Sequence, residues 1–139
     1  METHKARTIG FYMNAYKLLS RLNEASKYFT KKEYIEIVDT ARSLFERGQF
    51  DLCEKMLEKL PNNVQLLENL VNKLKGKSVH KTLKKIQEGK NENDLLTAKG
   101  LSSLLTHVII EVEKGNNEYK VLVPNILEKL SEISYNILQ

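Results

Sequence analysis

Apolar residues return at steps of three and four along most of this 139-residue chain, and that spacing commits it to helices. Ile9, Tyr12, Tyr16, Leu19, Leu22 and Ala25 form one such stripe, which predicts a helix over about residues 5–28 with its tyrosines facing a core. Thr30 stands three before Glu33, the spacing at which a hydroxyl and a carboxylate cap a helix start reciprocally. A second helix is expected there, with Tyr34, Ile37, Val38, Ala41, Leu44 and Phe45 inside and Gly48 at its end. Asp51 with Glu54 predicts a third, lined by Leu52, Met56, Leu57 and Leu60 and stopped by Pro61. Asn63 opens a fourth, carrying Val64, Leu67, Leu70, Val71 and Leu74 to Gly76. Ser78 opens a short fifth, with Val79, Leu83 and Ile86, ended by Gly89. The polar run Glu88 to Asp94 reads as a loop. A sixth helix over about 94–113 carries Leu95, Ala98, Leu101, Leu105, Val108 and Val112, although Gly100 inside it costs about 1 kcal/mol against Ala. The last, over about 121–138, carries Leu122, Ile126, Leu130, Ile133 and Ile137, with Pro124 in the first turn, where its missing N–H is not needed. The expected fold is all-α, a single-domain bundle of six to seven helices spanning 1–139. One alternative stays open: Val108 to Val123 is rich in β-branched residues around Gly115-Asn116-Asn117, the pattern of a β-hairpin.

A chain of this length buries about two-thirds of its unfolded surface and needs no metal or disulfide to fold. Cys53 is the only cysteine and forms no internal disulfide, so a reducing, cytoplasmic setting is expected. No run is read as approaching the roughly 18 apolar residues of a membrane span. The N-terminal His4, Lys5 and Arg7 lead into an amphipathic stretch, not a secretory leader. The stretch Ala41 to Asn63 resembles part of a tetratricopeptide repeat through Ala41, Gly48, Phe50 and Pro61. Cys53 stands where that repeat prefers Ala, Pro61 arrives about a turn early, and no second copy follows. The pattern is that of a generic helical hairpin, and no family is assigned from it.

Catalytic and metal signatures are sparse. One cysteine and three scattered histidines (His4, His80, His107) lack the short spacings of a structural zinc site, so no metal and no cofactor is expected. Gly76-Lys77-Ser78 matches the end of a phosphate-binding loop, but the glycine required five residues earlier is Val71, and no strand precedes it. Cys53 reads as a small core residue rather than a nucleophile. His107 and Glu111, four apart, share one helix face and are weighed as an acid–base pair against a plain surface contact, the latter preferred. With nothing stronger, the chain is expected not to be an enzyme.

Charge carries the remaining signal. Residues 1–32 hold seven Lys/Arg against two acids, 33–72 four against eight, 73–90 seven against one, and 91–139 four against seven. The third block contains Lys73, Lys75, Lys77, His80, Lys81, Lys84 and Lys85 with no acid between them. Like charges at close range repel by roughly 1 kcal/mol per pair in water. Such a run persists cheaply when it is solvated or meets an anion. These residues are the expected nucleic-acid contacts. Lys17, Arg21, Lys27, Lys31 and Lys32 of the first block are a secondary basic set. The expected role is a non-catalytic accessory subunit of a nucleic-acid-processing assembly, binding RNA or DNA non-specifically and without a membrane. The alternative is a protein–protein adaptor or homo-oligomeric module without nucleic-acid binding, joined through an apolar helical face, and an acidic protein surface is the other partner considered for the lysine block.

Overall fold

Each stretch of helical spacing folds as a helix because its apolar line has a partner to bury against, and glycines at 48, 76, 89 and 115 with Pro61 mark most of the breaks. A computed structural model describes residues 2–90 and 95–138, with side chains described for 10–90 and 95–136. Its elements are α1 (Glu2–Tyr28), α2 (Lys32–Glu46), α3 (Phe50–Leu57), α4 (Asn63–Lys73), α5 (His80–Gln87), α6 (Leu95–Glu113), a 3-10 helix (Asn117–Leu122) and α7 (Val123–Leu138). The protein is all-α, and no strand occurs among the described residues. The hairpin alternative fails because α6 continues to Glu113 and closes on Gly115, whose φ of +98° suits a helix end. There the Gly115 N–H donates to the Val112 carbonyl and the Asn116 N–H to that of Glu111. Part of the expected loop and Asp94 lie outside the described residues, as do the side chains of Ile9 and Ile137.

Helix starts depart from the sequence expectation in detail. Asn62, not Asn63, caps α4, because only Asn62 has Gln65 three residues on to complete the reciprocal pair. The Asn62 side chain accepts from the Gln65 N–H at 2.8 Å, and the Gln65 side chain accepts from the Asn62 N–H at 2.9 Å. Thr30, Asp51 and Ser78 do not occupy the cap position. Lys31, Gln49 and Val79 stand there and make no side-chain cap bond. In α3 the reason is visible: Gly48, at φ +76°, ends α2 so tightly that the chain re-enters a helix at Phe50, one residue before Asp51.

The chain divides into two compact units, Met1–Leu60 and Pro61–Gln139. In the first, α1, α2 and α3 all pack on one another. Leu18, Leu22, Ala25 and Phe29 of α1, Val38 and Ala41 of α2, and Cys53 and Leu57 of α3, with Leu60 after it, are buried. The α1 stripe is therefore rotated from the expected one. Leu22 and Ala25 belong to both, but Tyr12 and Tyr16 are 66% and 74% exposed and Leu19 is exposed. Leu52 is exposed as well, while Cys53 beside it is buried.

In the second unit α6 is central, packed by α4, α5, the 3-10 helix and α7. Its core joins Leu66, Leu70, Val71 and Leu74 of the α4 segment with Leu83, Leu101, Leu104, Val108, Tyr119, Leu122, Ile126 and Ile133. Val64 and Leu95, placed inside by spacing alone, are exposed. Gly100 is buried where α5 crosses α6. A Cβ there would come within 2.7 Å of Thr82 Cγ2, so the residue that weakens the helix is the one that lets α5 approach.

By length and composition α6 is the one described helix long and apolar enough to cross a membrane, with a mean hydropathy of 1.3 over 18 residues, which corrects the expectation that no run approaches this. Leu101, Leu104 and Val108 spend that apolarity in the core, and the same helix carries a buried carboxylate, Glu111.

Candidate binding surfaces

The lysine block does not act as one unit. Lys73 ends α4 with its Nζ 2.7 Å from Glu111 Oε2 and 5.3 Å from the centre of the Tyr119 ring. Asn116 Nδ2 donates to the same oxygen at 2.7 Å, and Lys114 Nζ stands 3.7 Å from Oε1. Burial pushes the Glu111 carboxyl up, but the hydrogen bonds from Lys73 and Asn116 and the charges of Lys73 and Lys114 outweigh it and hold the group below its ordinary value. The same bond to Glu111, against opposing burial, holds the Lys73 ammonium above its ordinary value. Lys73 is therefore a structural cation. His80 is half-buried, and its Nδ1 donates to the Val71 carbonyl at 3.2 Å, which ties α5 to α4. Both residues are thus engaged within the fold, although the Lys73 side chain stays half exposed.

Five lysines remain. Lys75 and Lys77 flank Gly76 in the turn between α4 and α5, and Lys81, Lys84 and Lys85 lie on α5. All five are exposed. Helical spacing puts residues 81, 84 and 85 on one face, opposite buried Leu83. Glu88, the block's single acid, pairs with Lys90 at 3.7 Å. None of the five has an ion-pair partner among the described residues. Lys84 and Lys85 sit in the last turn of α5, where the helix dipole favours cations by about 0.3–1 kcal/mol each. Lys81, in the first turn, has no such compensation.

The proposed acid–base pair is not formed. His107 Nδ1 donates to the Ser103 carbonyl of its own helix at 2.8 Å, and Glu111 is engaged with Lys73. Nor is Glu111 a surface group, being 4% exposed. The Cys53 thiol is buried, and that burial pushes its pKa up, which favours the unreactive thiol.

The secondary basic set is partly spent within the first unit. Arg21 pairs with Glu54 at 3.7 Å, Lys27 lies over the Tyr28 ring at 5.3 Å and Lys31 over the Tyr34 ring at 5.8 Å. Lys32 is exposed beside Glu33 and Glu36. Lys17 and Arg21 border an open groove of about 650 Å³ between α1 and the α2–α3 turn, floored by Phe11, Leu18 and Phe50 and edged by Asp51 and Glu54.

What the stripe reading missed is the outer surface of α1: Phe11, Tyr12, Met13 and Tyr16 are all at least half exposed. A signal for it was present. Leu18, Leu22, Ala25 and Phe29 form a competing line about 100° round the helix, and only one of two such lines can face α2 and α3. In the second unit, Leu95, Leu96, Ile109 and Ile110 are exposed on α6.

Compared with models of known protein families, with curated proteins and with solved structures, the chain matches none.

Proposed function

We propose that the protein is a non-catalytic helical accessory subunit of a nucleic-acid-processing assembly, and that it contacts nucleic acid non-specifically through the turn and helix that carry Lys75, Lys77, Lys81, Lys84 and Lys85. The observation that supports this reading is the cationic surface that remains once Lys73 and His80 are withdrawn: five exposed lysines with no acid paired to them among the described residues. Cations on a turn and one helix face meet phosphates without reading bases, which is the chemistry of sequence-independent binding.

The test is fluorescence anisotropy with labelled duplex DNA, single-stranded DNA and single-stranded RNA at about 50 and 200 mM salt. Three to five phosphate contacts on a duplex predict a loss of roughly 40- to 500-fold in affinity between those concentrations. Lys81→Glu with Lys84→Glu is expected to abolish binding without lowering Tm, since both side chains are exposed. Absence of binding at the lower salt would overturn the reading.

A second reading, a protein–protein adaptor or homo-oligomer, is supported by exposed apolar side chains at both ends of α6, Leu95 and Leu96 at its start and Ile109 and Ile110 near its close. It predicts a mass that rises with concentration in sedimentation and no salt-sensitive nucleic-acid binding.

A further inference from the structure

We propose that α6 pairs with the α6 of a second copy of this chain, antiparallel about a two-fold axis at Ser102 and Ser103, so that Leu95 and Leu96 of each copy meet Ile109 and Ile110 of the other. The inference rests on the homo-oligomer reading and deepens it by naming the partner. The lysine reading is independent of it. Leu101, Leu104 and Val108 turn one side of α6 into the core, yet apolar residues stand on the outer side as well. There, three pairs recur every seven residues: Leu95 with Leu96, Ser102 with Ser103, and Ile109 with Ile110. A seven-residue repeat keeps side chains turned toward one neighbouring helix, the spacing of helices that pair along their length. Thr106, between the second and third pairs, donates its hydroxyl to the Ser102 carbonyl at 3.0 Å and so needs no polar partner across the seam.

Order and charge choose the occupant. From Leu95 to Ile109 the helix rises about 21 Å, too far for one small ligand to touch both ends, whereas a second helix reaches both. Read in either direction, the outer face is apolar, small, apolar. A face that reads the same reversed fits its own antiparallel copy, and self-complementarity is what a two-fold interface requires. Serines at the centre let the two helices approach there. Charge fixes the direction. Lys99 and Glu113 are exposed on this side and have no ion-pair partner among the described residues. An antiparallel pair brings Lys99 of one copy to the end of the seam that holds Glu113 of the other, and it opposes the two helix dipoles. A parallel pair would set like charge beside like and align the dipoles. The second unit holds eleven Lys/Arg against nine acids, so two copies meet with little net repulsion. Four apolar side chains per copy make a contact well below the roughly 1,600 Å² of a standard interface, so the dimer is a weak one.

The experiment is sedimentation equilibrium of the full chain from about 10 to 300 µM, the range of a weak association. The mass is expected to rise from one chain toward two. Leu96→Glu with Ile109→Glu puts carboxylates into the seam and is expected to weaken self-association at least about tenfold. Circular dichroism and Tm of that variant are expected to match the wild type, because both side chains are exposed. Orientation is read by disulfide cross-linking of Leu95→Cys mixed with Ile109→Cys; the native Cys53 is buried and stays silent. The antiparallel pair sets position 95 opposite position 109 and holds identical positions about 21 Å apart, beyond the reach of a disulfide. The mixture is expected to cross-link, and each variant alone is not. A wild type that stays monomeric at the highest concentration overturns the pairing and the homo-oligomer reading together, and leaves the adaptor to a foreign partner. Dimerisation that the glutamate pair leaves intact overturns the pairing and lets the homo-oligomer reading stand. Cross-linking of each variant with itself but not in the mixture would show parallel helices and overturn the arrangement.

Discussion

Glu111 sits where local spacing and tertiary contact give different answers. On α6 it is four residues from His107, yet its partners are Lys73 of α4, 38 residues away in sequence, and Asn116 just beyond the helix. Removing Lys73 leaves a carboxylate in the core. Lys73→Met is therefore expected to cost about 3 kcal/mol in urea unfolding, the low end for a broken buried pair because Lys114 and Asn116 remain. Glu111→Gln is expected to cost less, since the freed ammonium is half exposed and reaches water. The pair also sets a pH signature. The Glu111 carboxyl is depressed on folding, so its contribution is present above the ordinary carboxylate range and is lost as pH falls through its lower folded value. The Lys73 ammonium is raised on folding, so its contribution is present below the ordinary lysine range and is lost as pH rises through its higher folded value. A Tm profile is expected to decline at both extremes, and Glu111→Gln is expected to flatten both limbs. An alkaline limb that survives in that variant would show that Lys73 draws its stabilisation from elsewhere. Gly100 makes a second residue-scale prediction. Alanine gains about 1 kcal/mol in helix propensity, but its Cβ would lie 2.7 Å from Thr82 Cγ2. Overpacking of that kind costs about 1–3 kcal/mol. Gly100→Ala alone is expected to destabilise, and together with Thr82→Ser, which removes the offending methyl, to equal or exceed the wild type in denaturant midpoint.

Among the elements, α4 and α5 show how helix ends are decided. The capping box at Asn62 and Gln65 satisfies two backbone groups that α4 would otherwise leave open. Asn62→Ala is expected to cost about 1 kcal/mol by urea unfolding, whereas Asn63→Ala, one residue along, is expected to be near neutral. Equal costs would mean that the first turn frays and the two asparagines share the role. Most helices were legible within a few residues, because apolar spacing and the glycines at 48, 76, 89 and 115 are local signals. Cap positions were less legible. An Asx or hydroxyl residue three before a carboxylate is compatible with a cap, but a tight glycine turn can start the next helix elsewhere, as at Phe50. Facing was least legible for α1, where two apolar lines compete and only the packing of α2 and α3 selects Leu18, Leu22, Ala25 and Phe29.

At the scale of the molecule, the second unit encloses its own core, formed among the described residues by side chains from Leu66 to Ile133. A chain of residues 61–139 is accordingly expected to keep helical circular dichroism and to melt cooperatively. A gradual, non-cooperative melt would show that this core does not suffice alone. Charge, too, reads differently at this scale. In sequence the lysine run is continuous, but folding divides it. Lys73 and His80 hold α4 to its neighbours, and Lys75, Lys77, Lys81, Lys84 and Lys85 stay in solvent. The candidate site was thus largely legible as a charge block, and its two structural members were not, because their partners lie on other segments or on backbone carbonyls.

Helical class, the breaks between helices and the alternation of charged blocks follow from the sequence by itself, since each depends on neighbours within about four residues or on composition alone. The tertiary structure decided which apolar line of α1 is buried, why a glycine stands inside α6, and which lysine is paired to a buried carboxylate. Each of those depends on groups distant along the chain, where a gain from desolvating one face excludes the other and a single missing Cβ lets two helices meet.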